Sequence, residues 1–101
     1  MNDYVSTKIK PLRRAIILRF LETTRDNQSN ADILTSVING TPDGITAYYP
    51  DVVEDLRWLE AKGYARLSGD EVVVVEATAA GLRIANGDQA DPGIARRVPG
   101  S

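Results

Sequence analysis

The chain has 101 residues, 43% of them hydrophobic and 26% charged, which is the size and composition of a single globular domain. It contains no Cys and no His. That excludes disulfides, thiolate zinc and iron–sulfur sites, a cysteine nucleophile and a Ser-His-Asp triad, and it removes the commonest general base near neutral pH. Carboxylate catalysis and an oxygen-ligand metal site survive this filter, but neither has a motif here.

An apolar run such as Ala15–Leu18 is far short of the ~20 residues that span a bilayer, and no secretory h-region follows the start. The expectation is a cytoplasmic binding protein without metal or cofactor, and not an enzyme. The net charge of −2 conceals a segregation. Residues 1–25 carry six bases against two acids, residues 26–76 ten acids against three bases, and residues 77–101 three bases against two acids.

In chain order, residues 1–8 are polar and expected to fray, leaving a domain over 9–87. Pro11 suits the first turn of a helix whose apolar residues, from Leu12 to Leu21, cover more than half its circumference. That predicts a central helix ending near Thr24 and Arg25, before the turn formers 26–30. Ser29 or Asn30 caps a second helix, with Asp32 in its first turn and Gly40 as its stop. Thr41-Pro42-Asp43-Gly44 is a turn by composition.

A third helix is expected with Tyr49 as cap and Pro50 as first residue. Val52, Leu56 and Leu59 form its inward stripe, and Gly63 ends it. Tyr64–Leu67 and Glu71–Glu76 read as strands of a hairpin turning at Ser68-Gly69-Asp70. Thr78 caps a short helix from Ala79 to about Asn86, and residues 88–101 read as an irregular tail. The fold class is therefore mainly α with a small β-hairpin.

The segment Asp55-Leu56-Arg57-Trp58-Leu59-Glu60-Ala61-Lys62-Gly63-Tyr64-Ala65-Arg66-Leu67 resembles the end of a recognition helix, its glycine exit and the first wing strand of bacterial winged helix-turn-helix regulators. Thr78-Ala79-Ala80-Gly81 resembles the helix start that often follows the wing, and Arg14–Leu21 fits the first helix. Leu56 to Gly63, Val72 to Val75 and Pro92-Gly93-Ile94-Ala95-Arg96 are also similar to segments of the small ArsR-like winged-helix proteins of Mu-like phages. The resemblance spans roughly residues 12–97. It implies a three-helix core, a two-stranded wing and a short C-terminal helix. It also implies a phage-encoded transcriptional regulator that binds double-stranded DNA, the third helix in the major groove and the wing on the backbone. ArsR-type metal sensing is not implied, because Cys and His ligands are absent.

The residues this brings to DNA are Tyr48, Tyr49, Arg57, Lys62 and Arg66, with Lys8, Lys10, Arg13 and Arg14 as a basic cluster on helix one. Each has a plainer reading. Arg57 lies three residues after Glu54 and suits a helix-surface pair. Tyr48 and Tyr49 suit packing at the helix entry, and the basic cluster suits a solvated face. The same face carries Asp51, Glu54 and Asp55, which repel phosphate, and the wing tip adds Asp70 and Glu71. Hence the alternative is a protein-interaction module, with Trp58, Asp51, Glu54 and Asp55 as its contact residues and Trp58 otherwise packing at the core edge. A third expectation is a homodimer in which the basic first helix meets the acidic third helix of a second copy.

Overall fold

The computed structural model describes residues 4–42 and 45–98. Asp43 and Gly44 of the expected turn lie outside the described residues, as do residues 1–3 and 99–101. The described chain is mainly helical, with four α-helices and one small antiparallel sheet. The helices are α1 (Lys10–Thr23), α2 (Ala31–Asn39), α3 (Tyr49–Ala61) and α4 (Ala79–Ala85). The strands are β1 (Gln28–Asn30), β2 (Ala65–Ser68) and β3 (Val74–Ala77), in the order β1-β3-β2. No helix among the described residues is long and apolar enough to cross a membrane.

Helix α1 is the hub, as its wide apolar surface predicts. Ile17, Leu18 and Leu21 have no exposed surface, and Ala15 and Ile16 almost none. Leu34 and Ile38 of α2, Val52, Leu56 and Leu59 of α3 and Val75 of β3 close the core around them, all fully buried. At about 1.5–3 kcal/mol for each large apolar side chain, this burial is the main stabilising term.

Local signals set most boundaries. The Asn30 side chain accepts the Ile33 N–H at 2.9 Å and starts α2. Thr78 accepts the Gly81 N–H at 3.1 Å to start α4, and its hydroxyl donates to the Gly63 carbonyl at 2.7 Å. Gly63, at φ 83°, supplies the left-handed turn from α3 into β2. The Asn39 side chain acts as a substitute peptide for the α2–α3 connection. It donates to the Ala47 carbonyl at 2.9 Å and accepts the Ala47 N–H at 2.8 Å.

Four features add to these expectations or correct them. First, residues 5–9 have a regular local conformation. Val5–Ile9 form a π-helical turn that runs directly into α1. Second, helix three begins one residue early. Tyr48, not Tyr49, is the cap residue, and its N–H donates to the Asp51 carboxylate at 3.1 Å.

Third, the sheet has three strands rather than two. The polar stretch 28–30 pairs with β3 in the register Gln28↔Glu76, Ser29↔Val75 and Asn30↔Val74. Before it, Asp26 and Asn27 take positive φ, a conformation that Asp and Asn tolerate, and turn the chain out of α1. The backbone edge of β3 then determines the strand, overriding side-chain propensity. The hairpin is also shifted: β2 pairs with β3 through Ala65↔Ala77 to Ser68↔Val74, so the hairpin loop takes up residues 69–73. Fourth, the segment after α4 has no regular element, as expected, yet it is docked. Ile94 is buried, and the Ala95 N–H donates to the Pro11 carbonyl at 3.0 Å.

Candidate nucleic-acid interface

Val52, Leu56 and Leu59 turn inward, and the opposite side of the helix turns outward. Tyr49, Pro50, Val53, Glu54 and Arg57 form the outer surface of α3. Val53, Arg57 and Glu60 face Leu67, Ser68, Gly69 and Val73 across an open groove of about 320 Å³. A helix face and a hairpin loop thus flank one depression, with Arg57 beside it.

The pairings on this face differ from the local ones the sequence suggests. Glu54 binds Lys10 of α1 at 3.1 Å instead of Arg57. Arg57 is exposed and makes no ion pair or hydrogen bond among the described residues. Glu60 accepts the Leu67 N–H at 3.2 Å and so ties α3 to β2. Arg66 lies 3.9 Å from Glu76 across the sheet, a largely exposed pair. Tyr48 is 68% exposed and Tyr49 36%, so the helix entry is not a packed core. Lys8 is exposed on the turn before α1.

Three site candidates leave the surface. Asp55 has no exposed area, and Arg13 and Arg14 almost none. Arg13 Nε donates to Asp55 Oδ2 at 2.5 Å, and Arg14 Nε to Oδ1 at 3.3 Å. The physical reason is the α1–α3 contact: Asp55 occupies the i+3 place of the Val52–Leu56–Leu59 stripe and therefore points into α1. A buried carboxylate is tolerated only with charge partners and hydrogen bonds, and the two guanidiniums provide both. Burial pushes the Asp55 carboxyl above its ordinary value, with Arg13 and Arg14 opposing the shift. Arg13, Arg14 and Asp55, expected on the surface, are thus spent on one another inside the α1–α3 contact.

Trp58 is half-buried, and its surroundings come from its own chain. The Arg14 guanidinium lies 3.9 Å from the ring centre, Lys62 Nζ 5.5 Å, and the Tyr64 ring 6.4 Å at a 48° tilt. Gly93 of the tail lies so close that a β-carbon there would come within 2.4 Å of Trp58 Cζ2. Arg14 Nη1 also donates to the Gly93 carbonyl at 3.2 Å. This is the core-edge arrangement rather than an open anchor.

Asp91 fastens the same tail. It accepts from the Tyr64 hydroxyl and from the Gly93 N–H, the latter at 2.8 Å, and lies 3.6 Å from Lys62. Burial pushes its carboxyl upward, but the Tyr64, Gly93 and Lys62 contacts outweigh that and hold it below the usual range. The hydrogen bond to Asp91, then burial, raise the Tyr64 hydroxyl above its ordinary value. Sequence reasoning missed this network. Its only trace was the turn-forming Pro92-Gly93 beside an acid.

Among the described residues no group of three or more acidic side chains is arranged to hold a metal ion. Neither the scan of protein-family models nor the search of curated proteins finds a match to this chain.

Proposed function

We propose that this chain is a winged-helix domain that binds double-stranded DNA, with α3 as the recognition helix and the β2–β3 loop as the wing, and that it acts as a transcriptional regulator. The observation that carries the reading is Arg57. It stands on the outer face of α3, beside the groove to the wing, without a carboxylate to hold it back. The element order α1-β1-α2-α3-β2-β3, with β1 added to the hairpin, supports the winged-helix reading. Withdrawal of Asp55 into the core removes one of the four acids of α3 from its surface, and Lys10 offsets another.

A fluorescence-anisotropy titration with mixed-sequence duplex at low salt tests it. Binding that weakens steeply with added salt, and that Arg57→Ala reduces, is the expected result. Absence of binding at low salt overturns it.

A second reading has its own support. Apart from Arg57, the α3 and wing surface presents Asp51, Glu54, Glu60, Asp70 and Glu71. Next to them stand the exposed rings of Tyr48 and Tyr49. Acids with exposed aromatics suit a basic protein surface better than a phosphate backbone.

A further inference from the structure

The described surface carries a second charged region, where the start of α1 meets the tail. A groove of about 480 Å³ runs between the start of α1 and the tail, lined by Lys8, Pro11, Pro92, Ile94, Ala95 and Arg96. Ile94, Ala95 and Arg96 also line a smaller cavity beside it, where Arg19 of α1 joins them. Lys8 and Arg96 thus line the groove, and Arg19 lines the cavity adjoining it through Ile94, Ala95 and Arg96. None of the three makes an ion pair among the described residues. The one carboxylate that lines it, Asp91, is taken by Tyr64, Gly93 and Lys62.

The tip of the β2–β3 hairpin has the opposite character. Asp70 and Glu71 are exposed and have no partner among the described residues, and Val72 beside them is 48% exposed. The loop thus offers two carboxylates and an apolar side chain to a groove and adjoining cavity that offer three cations and apolar side chains. The residues lining the groove and those lining the wing depression have no member in common. Within one molecule these surfaces leave each other's charges unmatched.

We infer that the groove between α1 and the tail is a docking site for the hairpin tip of a second copy of this chain. Such a contact uses two different surfaces, so a head-to-tail pair leaves the groove of one copy and the hairpin tip of the other free. This relocates the basic surface of the expected homodimer. Arg13 and Arg14 are spent in the core and Lys10 on Glu54, whereas Lys8, Arg19 and Arg96 are unspent. The inference does not depend on DNA binding, and its test contains no DNA.

Sedimentation velocity of the full chain over a concentration series is the measurement. At about 50 mM salt the weight-average mass should rise with concentration beyond twice the monomer mass. At about 500 mM salt the association should weaken by roughly tenfold or more. The double variant Lys8→Gln with Arg96→Gln neutralises only the groove, and Asp70→Asn with Glu71→Gln neutralises only the hairpin tip. Each alone should remain monomeric, with thermal unfolding near that of the parent because all four positions are exposed. Mixing the two should give a 1:1 pair that grows no further, since one supplies the intact tip and the other the intact groove. A parent chain that stays monomeric at low salt overturns the inference. So does assembly that persists in either variant, or a mixture that forms no pair.

Discussion

The Arg14 guanidinium lies 3.9 Å from the centre of the Trp58 ring while its Nε donates to Asp55. One side chain thereby joins the buried carboxylate of α3 to the docked tail, whose Gly93 carbonyl it also binds. A cation over a tryptophan face contributes about 0.5–2 kcal/mol, more as it is desolvated. The larger consequence is geometric: the tail and the charged core share a residue.

Asp55→Asn should destabilise the protein by about 3–5 kcal/mol, because it leaves two guanidiniums buried without a countercharge. That is a large part of the 5–15 kcal/mol typical of a domain this size. Glu54→Gln, one residue earlier, loses only the exposed pair with Lys10 and should change stability by less than about 1 kcal/mol. Urea unfolding of the two variants side by side checks the contrast. Equal effects would mean that the Asp55 network contributes no more than a surface pair.

Gly93→Ala should release the tail, since the added carbon would come within 2.4 Å of the Trp58 ring. The expected cost is about 1–3 kcal/mol, as for overpacking elsewhere. Trp58 is the only tryptophan, so its emission reports the event directly. A red shift without loss of helical circular dichroism is expected. An unchanged spectrum would show that the ring and the tail are not in contact.

The Tyr64–Asp91 contact should hold the tail over a bounded pH range. Asp91 titrates lower in the folded chain than free, so its contribution is present above about pH 4 and is lost as pH falls through the depressed folded value. Tyr64 titrates higher folded than free, so its contribution is present below about pH 10 and is lost as pH rises through the raised folded value. The methyl resonances of Ile94, the buried residue of the tail, should move at both limits. Tyr64→Phe should abolish the alkaline step; if that step persists, another group controls the tail.

The sequence made the α3 stripe and the Asn30 and Thr78 caps legible because each depends on residues within one or two helical turns. The Gly63 exit was legible for the same reason. Strand β1 was not, because Gln28-Ser29-Asn30 has no strand character of its own and pairs only where β3 leaves an edge open. The Arg13–Asp55 pair joins residues 42 apart, so charge counting placed both on the surface. One local clue existed: Asp55 lies three residues after Val52 and one before Leu56, on the inward stripe. The tail gave no periodic signal, since its position depends on the Pro11 carbonyl, on Trp58 and on Tyr64.

Lys10 bears on the DNA reading through Glu54 and Arg57. It binds Glu54 at 3.1 Å and so draws that acid away from Arg57, three residues further along α3. In Lys10→Ala, Glu54 is free to pair with Arg57 at a spacing where such pairs form on helices. If Arg57 meets DNA, this change should weaken duplex binding at low salt by about 0.2–0.5 kcal/mol, the stability of the exposed helix pair that must open first, on top of any contact that Lys10 itself makes. Lys10→Ala with Glu54→Ala removes the competing acid and should restore most of that loss. Duplex titrations of both variants check it. A loss that the double variant fails to recover would assign the effect to the Lys10 charge itself, and no loss at all would show that Glu54 does not compete with DNA for Arg57.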